Sequence, residues 1–213
     1  MRVPLQDLSA GYRQVRNDII QAVTEVLDSQ YYILGPKVAE LEQKIASMCG
    51  VSHGAGVSSG SDALLLALMA LEVGPGDQVI TTPFSFFATA GSIVRVGAIP
   101  VFVDIDPRTF NMNPHKIKAA ITSKTKAILP VHLFGQIADM EPILDIANQH
   151  KLTVIEDAAQ AIGAKRNEKP AGSFGDAACL SFYPTKNLGG AGDGGMVVTN
   201  RQDIADGVKQ LRQ

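Results

Sequence analysis

The sequence predicts an α/β fold: a three-layer α/β/α domain around a mainly parallel seven-stranded sheet whose last strand runs antiparallel. Three observations carry this expectation. Short apolar runs recur seven times, amphipathic stretches fill most of the gaps between them, and a glycine-rich gap without helical pattern precedes the seventh run.

Taken in order, Val15, Ile19, Val23 and Val26 repeat at helical spacing, and Val38, Leu41 and Ile45 do so again after the Gly35-Pro36 break. Two N-terminal helices are expected, within residues 13–48. The seven strand candidates follow at Ala55–Val57, Val79–Thr81, Pro100–Val103, Ala127–Val131, Thr153–Ile155, Ala178–Phe182 and Met196–Thr199. Helical patterns lie between them at Ala63–Leu71, Ala88–Val96, Pro114–Ile121 and Met140–Gln149. Such alternation is built from right-handed β-α-β crossovers, which make neighbouring strands parallel. No helix fits into Lys186–Gly195, so the seventh strand is expected to return antiparallel. Without internal repeat or linker, residues 1–213 are expected to form one domain.

With 213 residues, 46% of them hydrophobic, the chain can bury a substantial core. A net charge of -2 with interspersed signs gives no footprint for nucleic acid or an anionic membrane, which leaves a small molecule as the expected partner. The first twenty residues lack the apolar core of a signal peptide, and Ala63–Leu71 is too short to span a bilayer, so a cytoplasmic protein is expected. Cys49 and Cys179 make no disulfide framework, and His53, His115, His132 and His150 lack metal-ligand spacing, so no metal is expected.

In an open α/β sheet, ligands gather beyond the carboxyl ends of the strands. After the first strand, Ser58-Ser59-Gly60-Ser61-Asp62 leads into a helix whose free N–H groups suit a phosphate. The same residues also read as a Ser-x-x-Asp capping box, and the two readings are compatible. After the second strand, Phe84-Ser85-Phe86-Phe87 is an aromatic turn, which fits core or lid packing as well as a cofactor platform. Glu156 and Asp157 end the fifth strand, where either acid could serve only as a cap. Beyond the sixth strand, Lys186 stands in a turn shared with Ser181 and ahead of a glycine-rich bend. Lysines are mostly solvated surface charges. A lysine, an acid and an anion site on one sheet edge is instead the set needed by pyridoxal phosphate, where an amine holds the aldehyde and a carboxylate keeps the pyridine nitrogen protonated.

At these residues a family resemblance becomes specific. ILGPKVAELE, VSSGSDALLLAL, PFSFFATA, VIEDAAQAIGA and SFYPTKNLGGAGDGGMVVTN resemble the motifs of the DegT/DnrJ/EryC1/StrS sugar aminotransferases, pyridoxal-phosphate enzymes of fold type I. The resemblance runs from about Val3 to Gln213. It implies a pyridoxal-phosphate-binding large domain, a nucleotide-linked keto-sugar as acceptor, an amino acid such as glutamate as donor, and a homodimer with shared active sites. On the same resemblance, Lys186 corresponds to the cofactor-bearing lysine and Asp157 to the acid facing the pyridine nitrogen. Phe86 corresponds to the stacking ring, and Gln160 to a neighbour of the phenolic oxygen. Gly60, Ser61, Asp62 and Ser181 fall where the phosphate is held. A dehydratase branch carries histidine in place of this lysine, so Lys186 argues for transamination.

In that reaction the freed lysine would also move a proton between donor and cofactor, giving ping-pong kinetics. The chain stops inside a helical pattern that begins near Gln202, whereas the family continues, so a truncated form lacking a C-terminal small domain is expected. A non-catalytic or regulatory relative, and a pyridoxal-phosphate sugar dehydratase, remain alternatives. A nicotinamide dehydrogenase is disfavoured because Gly189–Gly195 leads into a strand pattern, not a helix.

Overall fold

The computed structural model describes residues 3–4 and 6–213, which divide into two compact units, Met1–Leu41 and Glu42–Gln213. The first holds helix α1, Ser9–Ser29, which ends where Gln30 turns left-handed (φ 57°) and donates its N–H to the Val26 carbonyl. Helical spacing foretold this element, yet α1 buries none of its residues, and Val15 and Val23 are about half exposed. Pro36 opens helix α2, Pro36–Met48, where its fixed φ and missing N–H suit the first turn.

The second unit takes in the end of α2, whose Ile45 and Ala46 are buried. There follow β1 (His53–Val57), α3 (Gly60–Ala70), β2 (Gln78–Thr81), α4 (Phe87–Arg95), β3 (Ile99–Phe102), α5 (Ile117–Ala120) and β4 (Thr125–Ile128). After them come α6 (Met140–His150), β5 (Thr153–Asp157), β6 (Lys165–Arg166), β7 (Lys169–Pro170), β8 (Ala177–Ser181), β9 (Gly195–Thr199) and α7 (Gln202–Leu211).

Seven strands form one sheet in the order β1-β9-β8-β5-β4-β2-β3. Pairings from β8 through β5, β4 and β2 to β3 are parallel, and β9 runs antiparallel between β1 and β8. The expected direction of the last strand follows from its connection. Residues 182–194 hold no helix to carry the chain back, so it can only turn and return beside β8.

Both faces of the sheet are covered, which explains the near-continuous apolar runs. Side chains alternate between two cores. Val79, Ala127, Ile155, Cys179 and Val197 point to the core with α3, α4 and α7, while Ile80, Ile128, Val154, Leu180 and Met196 point to the core with α6 and the end of α2. β1 lies at an edge, where its Gly56 N–H donates to Glu42 Oε1 (2.8 Å) and its Gly56 carbonyl accepts from Arg212 Nη1 (3.0 Å). Arg212 also pairs with Glu42, so this edge is not left as a template for another strand.

Three expectations need correction. The fourth strand ends at Ile128 and not Val131, because Pro130 has no N–H to continue the ladder; Val131 keeps only an isolated bridge to Asp157. Pro114–Ile121 is a 3-10 turn, Pro114–Lys116, followed by the four-residue α5, in place of one helix. The hairpin β6–β7 was not anticipated. It turns on Asn167 and Glu168, both at positive φ (50° and 62°), a two-residue loop without the Asn-Gly pair that makes such turns visible in sequence. Among the described residues no helix is long and apolar enough to cross a membrane.

Candidate active site

The carboxyl ends of β1, β5 and β8 open into a cavity of about 720 Å³, a volume suited to a cofactor-sized ligand. Its floor near β1 is built by close backbone approach. A Cβ on Gly60 would lie 2.6 Å from the Ser181 Cβ, and one on Gly195 would lie 2.4 Å from the Ser59 carbonyl, so both positions require glycine. Ser59 caps α3, its Oγ accepting the Asp62 N–H at 3.1 Å. The Asp62 carboxylate turns back to Ser58 Oγ (2.6 Å) and Ser59 Oγ (3.0 Å), with Arg95 Nη1 at 3.6 Å. These contacts, the Ser58 bond foremost, hold its carboxyl below the usual range. The cap uses the Asp62 N–H that the family resemblance gave to phosphate, so the free first-turn donors are those of Gly60 and Ser61. Both lie at the positive end of α3, where an anion is stabilised.

β5 delivers two adjacent acids to opposite sides of the sheet. Glu156 is fully buried away from the cavity and accepts from His132 Nε2 (2.8 Å) and from the N–H groups of Gly172 (2.9 Å), Phe174 (2.7 Å) and Gly175 (2.7 Å). The other His132 nitrogen, Nδ1, accepts the Ala138 N–H at 3.2 Å, which makes Nε2 the protonated nitrogen of a neutral ring. Asp157 lines the cavity and is 5% exposed. Its Oδ2 accepts from Thr89 Oγ1 at 2.7 Å and its Oδ1 from the Ala159 N–H at 3.3 Å. Burial pushes its carboxyl up, and the Thr89 bond, the Ala159 bond and the charge of Lys186 oppose that rise.

β8 ends at Ser181, on the cavity wall, and the chain then folds back on itself. Lys186 donates its N–H to the Tyr183 carbonyl (2.8 Å), Gly190 to Phe182 (2.7 Å), and Phe182 to Gly194 (2.8 Å). A Cβ on Gly189 would meet the Pro184 carbonyl at 2.3 Å, so the bend also depends on a missing side chain. Lys186 is thereby held half-buried at the cavity, and its Nζ makes no hydrogen bond or ion pair among the described residues. Gly189–Gly195 leads into β9 and not a helix, unlike a dinucleotide fingerprint.

Phe86 lines the mouth and is 69% exposed, so it is not a core ring. Gln160 spends its Oε1 on the N–H of Phe134 (2.8 Å), which leaves its amide donors for the cavity. All eight residues singled out in sequence, Gly60, Ser61, Asp62, Phe86, Asp157, Gln160, Ser181 and Lys186, line this one space. Sequence reasoning missed Ser85, Thr89 and His132. The hydroxyls were visible inside PFSFFATA, but the neighbouring rings drew the interpretation, and His132 was weighed only as a metal ligand.

The chain is thus an α/β domain in which a mixed sheet brings Lys186, the buried Asp157 and the start of α3 around one cavity. The chain belongs to the DegT/DnrJ/EryC1/StrS aminotransferase family, which matches residues 13–213. It is 57% identical over 212 residues to the "Pleiotropic regulatory protein" of Geobacillus stearothermophilus, covering 100% of this chain and 57% of the relative. It is 51% identical over 210 residues to the UDP-N-acetyl-3-dehydro-alpha-D-glucosamine 3-aminotransferase of Acidithiobacillus ferrooxidans, covering 99% and 57%. Among solved structures, DesV of S. venezuelae in complex with a ketimine intermediate superposes with a TM-score of 0.96 at 43% identity, covering 100% of this chain and 57% of that one. The chain thus spans about 57% of the length of these relatives.

Proposed function

We propose that this chain is the pyridoxal-phosphate-binding part of an aminotransferase that moves an amino group from an amino acid, glutamate first, to a nucleotide-linked keto-sugar. It would act in the cytoplasm as a homodimer. The observation that carries the reading is the meeting of Lys186, Asp157 and the Gly60 and Ser61 N–H groups on one cavity.

These residues fit the cofactor. The unpaired Lys186 amine suits the aldehyde, the Asp157 carboxylate suits the ring nitrogen, and the helix start with Ser181 suits the phosphate. Bound there, pyridoxal phosphate would supply an electron sink that makes the donor α-proton acidic. Lys186, displaced by the incoming amine, would carry that proton as general base and then acid. Asp157 would keep the pyridine nitrogen charged, its own charge sustained by Thr89 in a dry setting. Gln160 would hold the phenolic oxygen through its free amide donors, and Phe86 would cover one ring face and exclude water. Ser85, Phe86, Phe134 and Tyr183 at or near the mouth include exposed rings that a second copy of the chain would cover, as shared active sites require.

The test is an absorption spectrum with added pyridoxal phosphate, then borohydride reduction and peptide mapping. A pyridoxyl group on Lys186, lost in Lys186→Ala, is expected, together with amino transfer to a UDP-linked 3-keto-sugar and a dimer by light scattering. Retention of the visible band in Lys186→Ala would refute the site. One relative's name, a regulatory protein, favours a second reading in which the cofactor is bound but no sugar is aminated. Cofactor loading on Lys186 without turnover by the full-length dimer, across UDP- and dTDP-linked keto-sugars, would select it.

A further inference from the structure

Asp157 does not enter the cavity as a free carboxylate. Thr89, on the first turn of α4 and 1% exposed, donates to its Oδ2 at 2.7 Å, across 68 residues of sequence. Thr89 Oγ1 in turn lies 2.7 Å from Ser85 Oγ on the turn before α4. A threonine hydroxyl has one proton. Given to an ionised Asp157, that proton cannot also go to Ser85, so Ser85 must be the donor in the second bond. The order of donation is Ser85 to Thr89 to Asp157, and the last oxygen reached is the one short, charge-assisted bond that the carboxylate receives. Its other oxygen receives only the 3.3 Å bond from Ala159 and retains acceptor capacity toward the cavity. Ser85 and Thr89 also bracket Phe86, so the same two bonds tie the exposed ring's turn to the acid.

We propose that Thr89 is the positioning residue for Asp157, with Ser85 as its proton donor: the pair aims the carboxylate at the cofactor's ring nitrogen and locks the Phe86 turn in register with it. This rests on the reading of Asp157 as the acid that faces that nitrogen. A threonine placed there only for packing would be replaceable by valine, which has the same shape and no hydroxyl.

The test compares wild type, Thr89→Val, Thr89→Ser, Ser85→Ala and Asp157→Asn in the full-length protein. Pyridoxal phosphate affinity is read by absorbance titration, the visible band of the bound cofactor is followed against pH, and melting is recorded without cofactor. Losing a hydrogen bond to a charged group should weaken cofactor binding about tenfold or more in Thr89→Val and displace the midpoint of the pH titration. Thr89→Ser should recover affinity to within about twofold, and Ser85→Ala, one bond removed, should lose about two- to threefold. Wild-type affinity and an unchanged pH profile in Thr89→Val, beside a large loss in Asp157→Asn, would overturn the inference and leave the Asp157 reading standing. Wild-type behaviour in both would overturn that reading as well. Should Thr89→Val melt too low to titrate, Thr89→Ser and Ser85→Ala decide: a Ser85→Ala protein with wild-type affinity and pH profile would remove the relay.

Discussion

Glu156 and Asp157 are neighbours in sequence, both buried and both on β5, yet they serve opposite regions of the molecule. Behind the sheet, Glu156 is saturated by three backbone N–H groups and the His132 ring, with no capacity left for a ligand. In front, Asp157 has two partners, one of them long, and an open cavity before it. Burial therefore does not separate a structural acid from a ligand-binding one. Spare acceptor capacity does, because a carboxylate that has spent its lone pairs on the backbone can only hold the fold together.

Four outcomes would break or sharpen this contrast. Glu156→Ala strands a buried histidine N–H and three backbone donors, and should cost about 3–5 kcal/mol in urea unfolding. A cost below about 1 kcal/mol would erase the distinction. On the cavity side, Gly195→Ala drives a methyl against the Ser59 carbonyl and should cost about 1–3 kcal/mol and cofactor affinity together. Gly192→Ala, with nothing within 4 Å, should change neither.

The third outcome concerns pH. Asp157 titrates above its ordinary 3.8 because burial disfavours its charge. Its contribution to the cofactor-free fold is complete below that ordinary value and is lost as pH rises through the raised one, since the unfolded chain ionises first. Asp157→Asn should therefore gain stability relative to wild type as pH climbs out of the acid range, while losing the cofactor. A stability difference that is flat or shrinking with pH would show that the site does not resist this charge.

The smallest effect is on the thiols beside the two acids. Burial and then Glu156 push Cys49 up to about 11, and burial followed by Asp157 and Glu156 raises Cys179 as well. Neither should react with iodoacetamide at about pH 8 in the folded protein, as mass spectrometry would register. Rapid labelling of Cys179 would mean that β8 opens readily beside the site.

Much of this was legible in the chain. Residues 153–157 alternate across a two-sided sheet, so the opposite orientation of Glu156 and Asp157 follows from strand parity alone. Lys186 stood out because the strand pattern of Ala178–Phe182 ends just before it and glycines follow it, and local chemistry is enough to see a turn there. Parity, however, does not say which face carries the cavity. The α1 stripe was equally plain as a helix, but whether Val15 and Val23 are covered is a matter of neighbours and not of spacing.

The sequence by itself determined the class of fold, the succession of elements, the reversal of β9 and the set of residues gathered at the carboxyl edge. These depend on local periodicity, on glycine and proline, and on crossover length. Only the tertiary structure decided that Glu156 is spent on His132 and the backbone of 172–175, that Thr89 and Ser85 stand behind Asp157, that Asp62 gives its N–H to Ser59, and that Gly195 must leave room for the Ser59 carbonyl. Each of these is set by packing or hydrogen bonding whose outcome depends on how distant elements meet, and no pattern within a single element records that meeting.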